Sequence, residues 1–366
     1  MTVGYYAPLP PARTGVADYA AALLAELRRH GTVEVERARC DVALYHTGNN
    51  GLHAEIYRRA LKAPGVVVLH DAVLHHFLLG HLTESEYLDE FVYNYGEWNR
   101  ELARDLWRGR AASGTDSRYF EYPMLKRLAE GARAVVVHNP AAAEAVRRHA
   151  PGARVVEIPH LWQEAPPVTE GEAMRYRQEI GIDPAAYLFG VFGYLRESKR
   201  LVSVLEAFRR VHRENTRTAL LVAGAFVSSD LERAVAPFVG EAGVVRRPHL
   251  PDREFWVAAR AVDACINLRY PSAGETSGIG IRLMGMGKPV LVTEGLECKG
   301  LPEDGCVRIA AGVAERESLL EHLLLLTSIS GVGSAIGQRG SEYVRSHHRV
   351  DLVGRQYWQL LSELCA

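Results

Sequence analysis

Short runs of nearly continuous apolar residues recur along the chain at strand length. Val3-Gly-Tyr-Tyr-Ala7, Asp41-Val-Ala-Leu-Tyr45, Gly65-Val-Val-Val-Leu69, Ala134-Val-Val-Val137 and Val155-Val-Glu-Ile158 fall in the first half. Tyr187-Leu-Phe-Gly-Val-Phe192, Ala219-Leu-Leu-Val-Ala223, Ala264-Cys-Ile-Asn-Leu-Arg269 and Val290-Leu-Val292 fall in the second. Runs apolar at almost every position predict strands buried on both faces, as in parallel sheets. Between them apolar residues return at spacings of three and four, as at Ala17, Ala20, Leu23, Leu24 and Leu27, at Leu201, Leu205 and Phe208, and at Ile279, Leu283 and Met286. Further helices are predicted over 140–149, 231–238 and 255–262. Strand and helix thus alternate, which predicts an α/β fold. Gln163-Glu-Ala-Pro-Pro-Val-Thr-Glu-Gly reads as a linker, and 366 residues exceed what one core fills. Two doubly wound domains facing one another are therefore expected.

Polar residues gather where the strands end. Thr14-Gly15 sits at a strand-to-helix turn, where backbone amides can approach a phosphate or a sugar, although Gly15 has the plainer reading of only making the turn. His46-Thr-Gly-Asn49-Asn50-Gly51 and His70-Asp71 close the next two strands. In an open parallel sheet such edges line the ligand crevice. In the second half, Gly193-Tyr-Leu-Arg196-Glu-Ser-Lys199-Arg200 follows one strand, and Tyr270-Pro-Ser-Ala-Gly-Glu275-Thr276-Ser277-Gly278 joins another to a short helix. That loop sets one carboxylate, Glu275, among the unpaired N–H groups of a helix N-terminus, which suits a sugar attached to a phosphate.

Ten of the thirty aromatic residues lie between Val73 and Tyr122. The helical spacing of Phe91, Tyr95 and Trp98 favours core packing, with an acceptor-binding lobe as the alternative, since aromatic faces pack well on sugars. Arg104, Arg108 and Arg110 with Leu102, Leu106 and Trp107 read as a solvated helix face; the alternative is a membrane-surface helix, which would place the protein peripherally at the inner face of a membrane. His75, His76, His138 and His160 read as packing or surface residues.

Composition narrows the partners. A net charge of −1 gives no case for nucleic acid, and a charged share of 24% is ordinary for a globular protein. The five cysteines form no Cys-x-x-Cys pair, which fits reduced thiols in a cytoplasm, and Met1-Thr-Val-Gly-Tyr-Tyr lacks the pattern of a secretory signal. There is no Asp-x-Asp and no Cys/His cluster with zinc spacing, so neither metal nor other cofactor is expected. The first strand is not followed by Gly-x-Gly-x-x-Gly, which weighs against a nicotinamide dehydrogenase.

Several stretches in this order resemble the GT-B glycosyltransferases of family 4, the retaining, metal-independent group 1 enzymes. They are Pro10-Pro-Ala-Arg-Thr-Gly-Val-Ala-Asp18-Tyr19, Gly48-Asn49-Asn50, His70-Asp71, Gly193-x-x-Arg196-x-x-Lys199, Leu205-Glu-Ala-Phe208, Glu275-Thr-Ser-Gly278 through Gly287-Lys-Pro-Val, and Tyr343-Val-Arg-Ser-His-His-Arg with the helix to Leu364. The resemblance implies an N-terminal Rossmann-like domain over 1–165 on the acceptor side and a C-terminal one over 166–345 on the donor side, with a central cleft and a helix over 346–366 crossing back. It implies a nucleotide-sugar co-substrate (UDP-, GDP-, ADP- or TDP-linked) and a hydroxyl acceptor. His70, Arg196, Lys199 and Glu275 would be catalytic. Gly15, Gly193, Thr276, Ser277, Gly278 and Arg282 would hold the donor, and Thr14, Asp18, Asn49 and Asp71 would stand on the acceptor side. Only five of the 43 basic residues are lysine, so Lys199 is not this chain's default cation.

One departure concerns the nucleotide. Many family members carry a second glutamate eight residues after the first, where it holds the ribose; here position 283 is leucine, and alignment on Gly287-Lys-Pro-Val puts Arg282 in its place. A guanidinium donates and cannot accept the ribose hydroxyl protons as a glutamate does, so Arg282 is expected to be a nucleotide or phosphate contact of a variant subgroup, with helix-surface ion pairing as the plainer reading. Two alternatives accompany the transferase reading: a nucleotide-sugar epimerase on the same scaffold, and a catalytically silent nucleotide-sugar-binding protein.

Overall fold

The computed structural model describes residues 1–12 and 14–365; Arg13, inside the Pro10-to-Tyr19 stretch, and the terminal Ala366 lie outside the described residues. The chain divides into two compact units. One comprises Met1–Leu161, Pro271–Thr276 and His347–Ala366, the other Trp162–Tyr270 and Ser277–Ser346.

The first unit is built on strands β1 (Thr2–Tyr6), β2 (Thr32–Val35), β3 (Val42–Thr47), β4 (Val66–Leu69), β5 (Ala134–Val137) and β6 (Val155–Glu157), in the order β2-β1-β3-β4-β5-β6. The second is built on β7 (Tyr187–Phe192), β8 (Thr218–Ala223), β9 (Val244–Arg247), β10 (Ala264–Ile266), β11 (Val290–Thr293) and β12 (Val307–Ile309), in the order β12-β11-β10-β7-β8-β9. Every pairing in both sheets is parallel. Three of the twelve strands, β2, β9 and β12, were not visible in the apolar pattern. Each lies at a sheet edge and carries polar residues, as in Thr-Val-Glu-Val and Val-Val-Arg-Arg, because an edge strand is less fully covered.

The interior strands alternate between two cores. Val66 and Val68 enter one apolar cluster and Val67 and Leu69 another, while Phe189 and Val191 face away from Leu188 and Phe192. A Val or Leu fully buried in this way contributes about 1.5–3 kcal/mol relative to exposure, so each run holds its register strongly. The helix Val350–Cys365 belongs to the first unit and packs on the helix Gly15–Leu27, where the buried hydroxyls of Tyr357 and Tyr19 bond at 2.9 Å.

The aromatic-rich stretch forms the helices His75–His81, Glu84–Tyr95, Arg100–Gly109 and Arg118–Glu121. Phe77, Tyr87, Phe91 and Tyr119 are buried in the first core, whereas Trp98 is 85% exposed. Packing therefore accounts for most of this enrichment. Arg100 and Arg104 pair with Glu97 and Glu101, so the surface beside Trp98 carries both signs of charge. No single helix among the described residues is long and apolar enough to cross a membrane.

Strand order reverses between β1 and β3 in the first sheet and between β7 and β10 in the second. Such switch points leave a crevice at the strands' C-terminal ends. Thr14 and Gly15 follow β1, Asn49 follows β3, the Gly193–Lys199 loop follows β7 and the Glu275 loop follows β10.

Candidate functional site

In the first unit the helix Gly15–Leu27 begins directly after the β1 loop. Thr14 is its N-cap, its hydroxyl accepting from Val16 N at 3.4 Å, and Asp18 lies exposed in the first turn. Gly15 is exposed, and a Cβ there would meet no atom of the described residues within 4 Å. Packing against the described residues does not demand glycine at this helix start.

Asn49 and Asp71 tie two strand ends together. Asp71 Oδ2 accepts from Asn49 N at 2.7 Å, Asn49 Oδ1 accepts from Phe77 N at 2.7 Å, and Asn49 Nδ2 donates to His76 Nδ1 at 3.3 Å. Both ends of the Asn49 carboxamide thus engage the scaffold.

The sequence reading passed over a cluster of histidines. His46 is the penultimate residue of β3, His70 follows β4, His138 follows β5 and His160 stands after β6, so four adjacent strands each deliver an imidazole to one edge. Tyr19 lies among them, with ring centroids 4.8–5.9 Å from all four. A signal was present: Val-Val-Val-Leu-His70-Asp71 and Ala-Val-Val-Val-His138-Asn139 repeat the same pattern of apolar run, histidine and Asp or Asn.

Burial keeps His46, His70 and His138 neutral. It holds His46 and His70 well below the ordinary histidine value, with neighbouring imidazoles adding to the effect, and lowers His53 and His138 to about 4. Their tautomers follow from their partners. A carbonyl only accepts, so His53 Nδ1 donates to His46 O and His138 Nδ1 donates to Ile158 O, both at 2.9 Å. His46 Nδ1 lies 3.0 Å from His70 Nε2, and His46 Nε2 is buried with no partner among the described residues. An orphaned buried acceptor is the cheaper state than an orphaned N–H. This assigns the proton of His46 to Nδ1 and that of His70 to Nδ1.

The loop 271–276 belongs to the first unit, although the residues on either side belong to the second. Ala273 O accepts from Ala72 N at 2.7 Å, and Asn139 Nδ2 donates to Gly274 O and to Thr276 Oγ1, each at 2.9 Å. The half-buried Glu275 folds back so that Oε2 accepts from Ala273 N at 2.9 Å.

In the second unit, Gly193 takes a left-handed φ of +85° and Gly224 a φ of +156°. A Cβ on Gly224 would fall 1.9 Å from Gly193 O, so the chains leaving β7 and β8 touch backbone to backbone. Past that contact, Lys199 is 6% exposed and its ammonium donates to Phe192 O, while Arg196 is exposed. The neighbouring Arg200 is committed elsewhere, with its Nε held by both Glu315 oxygens at 2.9 and 3.0 Å.

Ser277 caps the helix Gly278–Gly285, its Oγ accepting from Gly280 N at 3.2 Å. Arg282 is half-buried with its guanidinium 5.8 Å from the Trp256 ring centroid, a cation–π distance. This edge therefore carries positive charge and backbone N–H groups, which is the equipment of an anion site.

No protein-family model matches the sequence, and no curated protein matches it. Solved structures do match over the whole chain. Sucrose-phosphate synthase from Thermosynechococcus elongatus aligns with a TM-score of 0.71 and 14% identity, covering 100% of this chain and 99% of that one. Anabaena Alr3699/HepE, solved with UDP and glucose, aligns at 0.64 and 13% identity, covering 99% and 100%. WaaG, a glycosyltransferase involved in lipopolysaccharide biosynthesis, aligns at 0.63 and 16% identity, with the same coverage. The architecture of two Rossmann-like doubly wound sheets is thus the GT-B fold.

Proposed function

We propose that the chain is a retaining glycosyltransferase that moves a sugar from a nucleotide-sugar donor to a hydroxyl acceptor without a metal ion. The observation that carries this reading is the cationic, amide-lined edge after β7 and β10, where Lys199 and Arg196 accompany the start of the helix Gly278–Gly285. The full-length likeness to solved glycosyltransferases, one of them holding UDP-glucose, supports it.

In this reading the bond from the anomeric carbon to the diphosphate oxygen breaks while the acceptor oxygen attacks from the same face. The acceptor's proton passes to the departing phosphate. Negative charge grows on the leaving group, and Lys199, Arg196 and the amides after Ser277, preset before the reaction, stabilise it there. Glu275 accepts from a donor-sugar hydroxyl, Thr276 and Gly278 complete the loop around it, and His70 offers its Nδ1–H to a sugar oxygen. Gly15 leaves room for its amide to reach the phosphate or the acceptor. Arg282 donates to the nucleotide's phosphates. The metal-free character is part of this proposal and starts from a sequence without Asp-x-Asp.

The test is a panel of UDP-, GDP-, ADP- and TDP-sugars, screened first by thermal shift, since a ligand of the native state raises its stability. Transfer follows with the binding donor, read by NMR for the anomeric configuration of the product. Retention that withstands a chelator is expected. An inverted product or loss of activity with the chelator overturns the mechanism. Isomerised donor formed without any acceptor supports the epimerase reading instead, and tight binding with no turnover supports a silent binding protein.

A further inference from the structure

The helix Pro140–His149 starts where β5 ends, and its N-cap is Asn139, 6% exposed. The side chain has two ends with separate tasks. Oδ1 accepts from Ala142 N at 2.9 Å, which caps the helix, while both donations of Nδ2 go to the loop 271–276, to Gly274 O and Thr276 Oγ1. Those two acceptors flank Glu275 on either side. A cap needs only an oxygen, and serine, threonine or aspartate supplies one as well as asparagine does. The amide nitrogen is what asparagine adds.

A second contact fixes the same loop. Ala72 N donates to Ala273 O at 2.7 Å, and Gly274 adopts φ +71° at a place where a Cβ would lie 2.6 Å from the Cβ of Ala72. The loop has no regular structure of its own, so these three hydrogen bonds and the glycine's close approach anchor the Glu275 backbone to the scaffold, beside the loop's internal bonds from Ala273 N to Glu275 Oε2 and from Gly274 N to Ser272 Oγ.

We propose that Asn139 is a positioning residue for Glu275: its carboxamide grips the loop on both sides of the carboxylate while its oxygen independently caps a helix. The role in transfer rests on the reading that Glu275 meets the donor sugar. Misplacing a binding group by about 1 Å costs on the order of a hundredfold in rate, so a loosened loop is read directly in turnover.

Asn139→Asp separates the two tasks, because it keeps the capping oxygen and sets an oxygen against Gly274 O, so that donation is lost and only the Thr276 hydroxyl can still turn to donate. In the full chain, we expect amide exchange across 271–276 to speed up while the 140–149 helix keeps its protection, and turnover to fall about tenfold or more. Asn139→Ser, a cap without the amide, should give the same loosened loop, and Thr276→Val, which removes one of the two acceptors, a smaller change. Loop exchange in Asn139→Asp and Asn139→Ser equal to wild type overturns the grip. A loosened loop with undiminished turnover overturns its role in transfer. If the wild type transfers no sugar at all, the exchange experiment still decides the grip, so that outcome overturns the transfer role and the proposed function without touching the positioning of the loop.

Discussion

The C-terminal edges of the two sheets solve different problems with different chemistry. The first unit's edge carries the buried, neutral imidazoles of His46, His70 and His138 beside Tyr19, whereas the second unit's carries Arg196, the nearly buried Lys199 and the start of a capped helix. Neutral rings and amides recognise hydroxyls by direction, since each nitrogen only donates or only accepts. Fixed positive groups recognise charge, with little regard for direction. Two sheets of similar topology thus differ in the side chains that their strand ends deliver.

Acid should break this contrast most strongly. His46, His53, His70, His75, His138 and His348, all in the first unit, have values depressed by burial, with His53, His138 and His348 at about 4 and His75 at about 3. A lowered native value means that the unfolded chain binds the proton first. The stabilisation is complete above about pH 6.5, the ordinary histidine value, and is lost as pH falls from there towards 4. For His138 the loss by pH 4 is on the order of 3 kcal/mol, judged from its value of about 4. Hydrogen exchange between pH 7 and pH 4.5, corrected for intrinsic rates, should show the first unit's sheet opening before the second's. Equal loss in both units would erase the distinction.

Substitutions at the charged side of the chemistry come next. Replacing Lys199 or Glu275 by Ala should each lower turnover by about a hundredfold or more, with donor affinity falling more for Lys199. Steady-state kinetics on the donor found by the binding screen check this; near-normal rates in both variants would remove the site from these residues.

Gly15→Ala sharpens the picture at smaller scale. No neighbour among the described residues opposes a methyl group there, and alanine is the better helix former, so melting temperature should hold or rise slightly. If the open space admits substrate, turnover should nonetheless fall about tenfold. A variant as active as wild type would leave Gly15 with the turn alone.

Much of this was readable in the chain itself. The apolar runs gave the interior strands because a strand covered on both faces must be apolar at nearly every position. The Glu275 loop and the Gly193–Lys199 loop were visible as polar, glycine-containing breaks between such runs. Edge strands β2, β9 and β12 were not, since partial exposure mixes their residues. His138 and His160 were read as packing or surface residues because a single histidine after a strand carries no information about which strand lies beside it.

By itself, then, the sequence determined the alternation of strand and helix, the two-fold division of the architecture and the placing of polar residues at strand ends, all consequences of local periodicity. Only the tertiary structure decided which ends stand together. Sheet order makes neighbours of β3, β4, β5 and β6, and so of their four histidines, and it joins Asn139 to acceptors 135 and 137 positions further along the chain. Hydrogen bonds over such separations depend on how strands are ordered and where loops return, and no spacing along the chain records that.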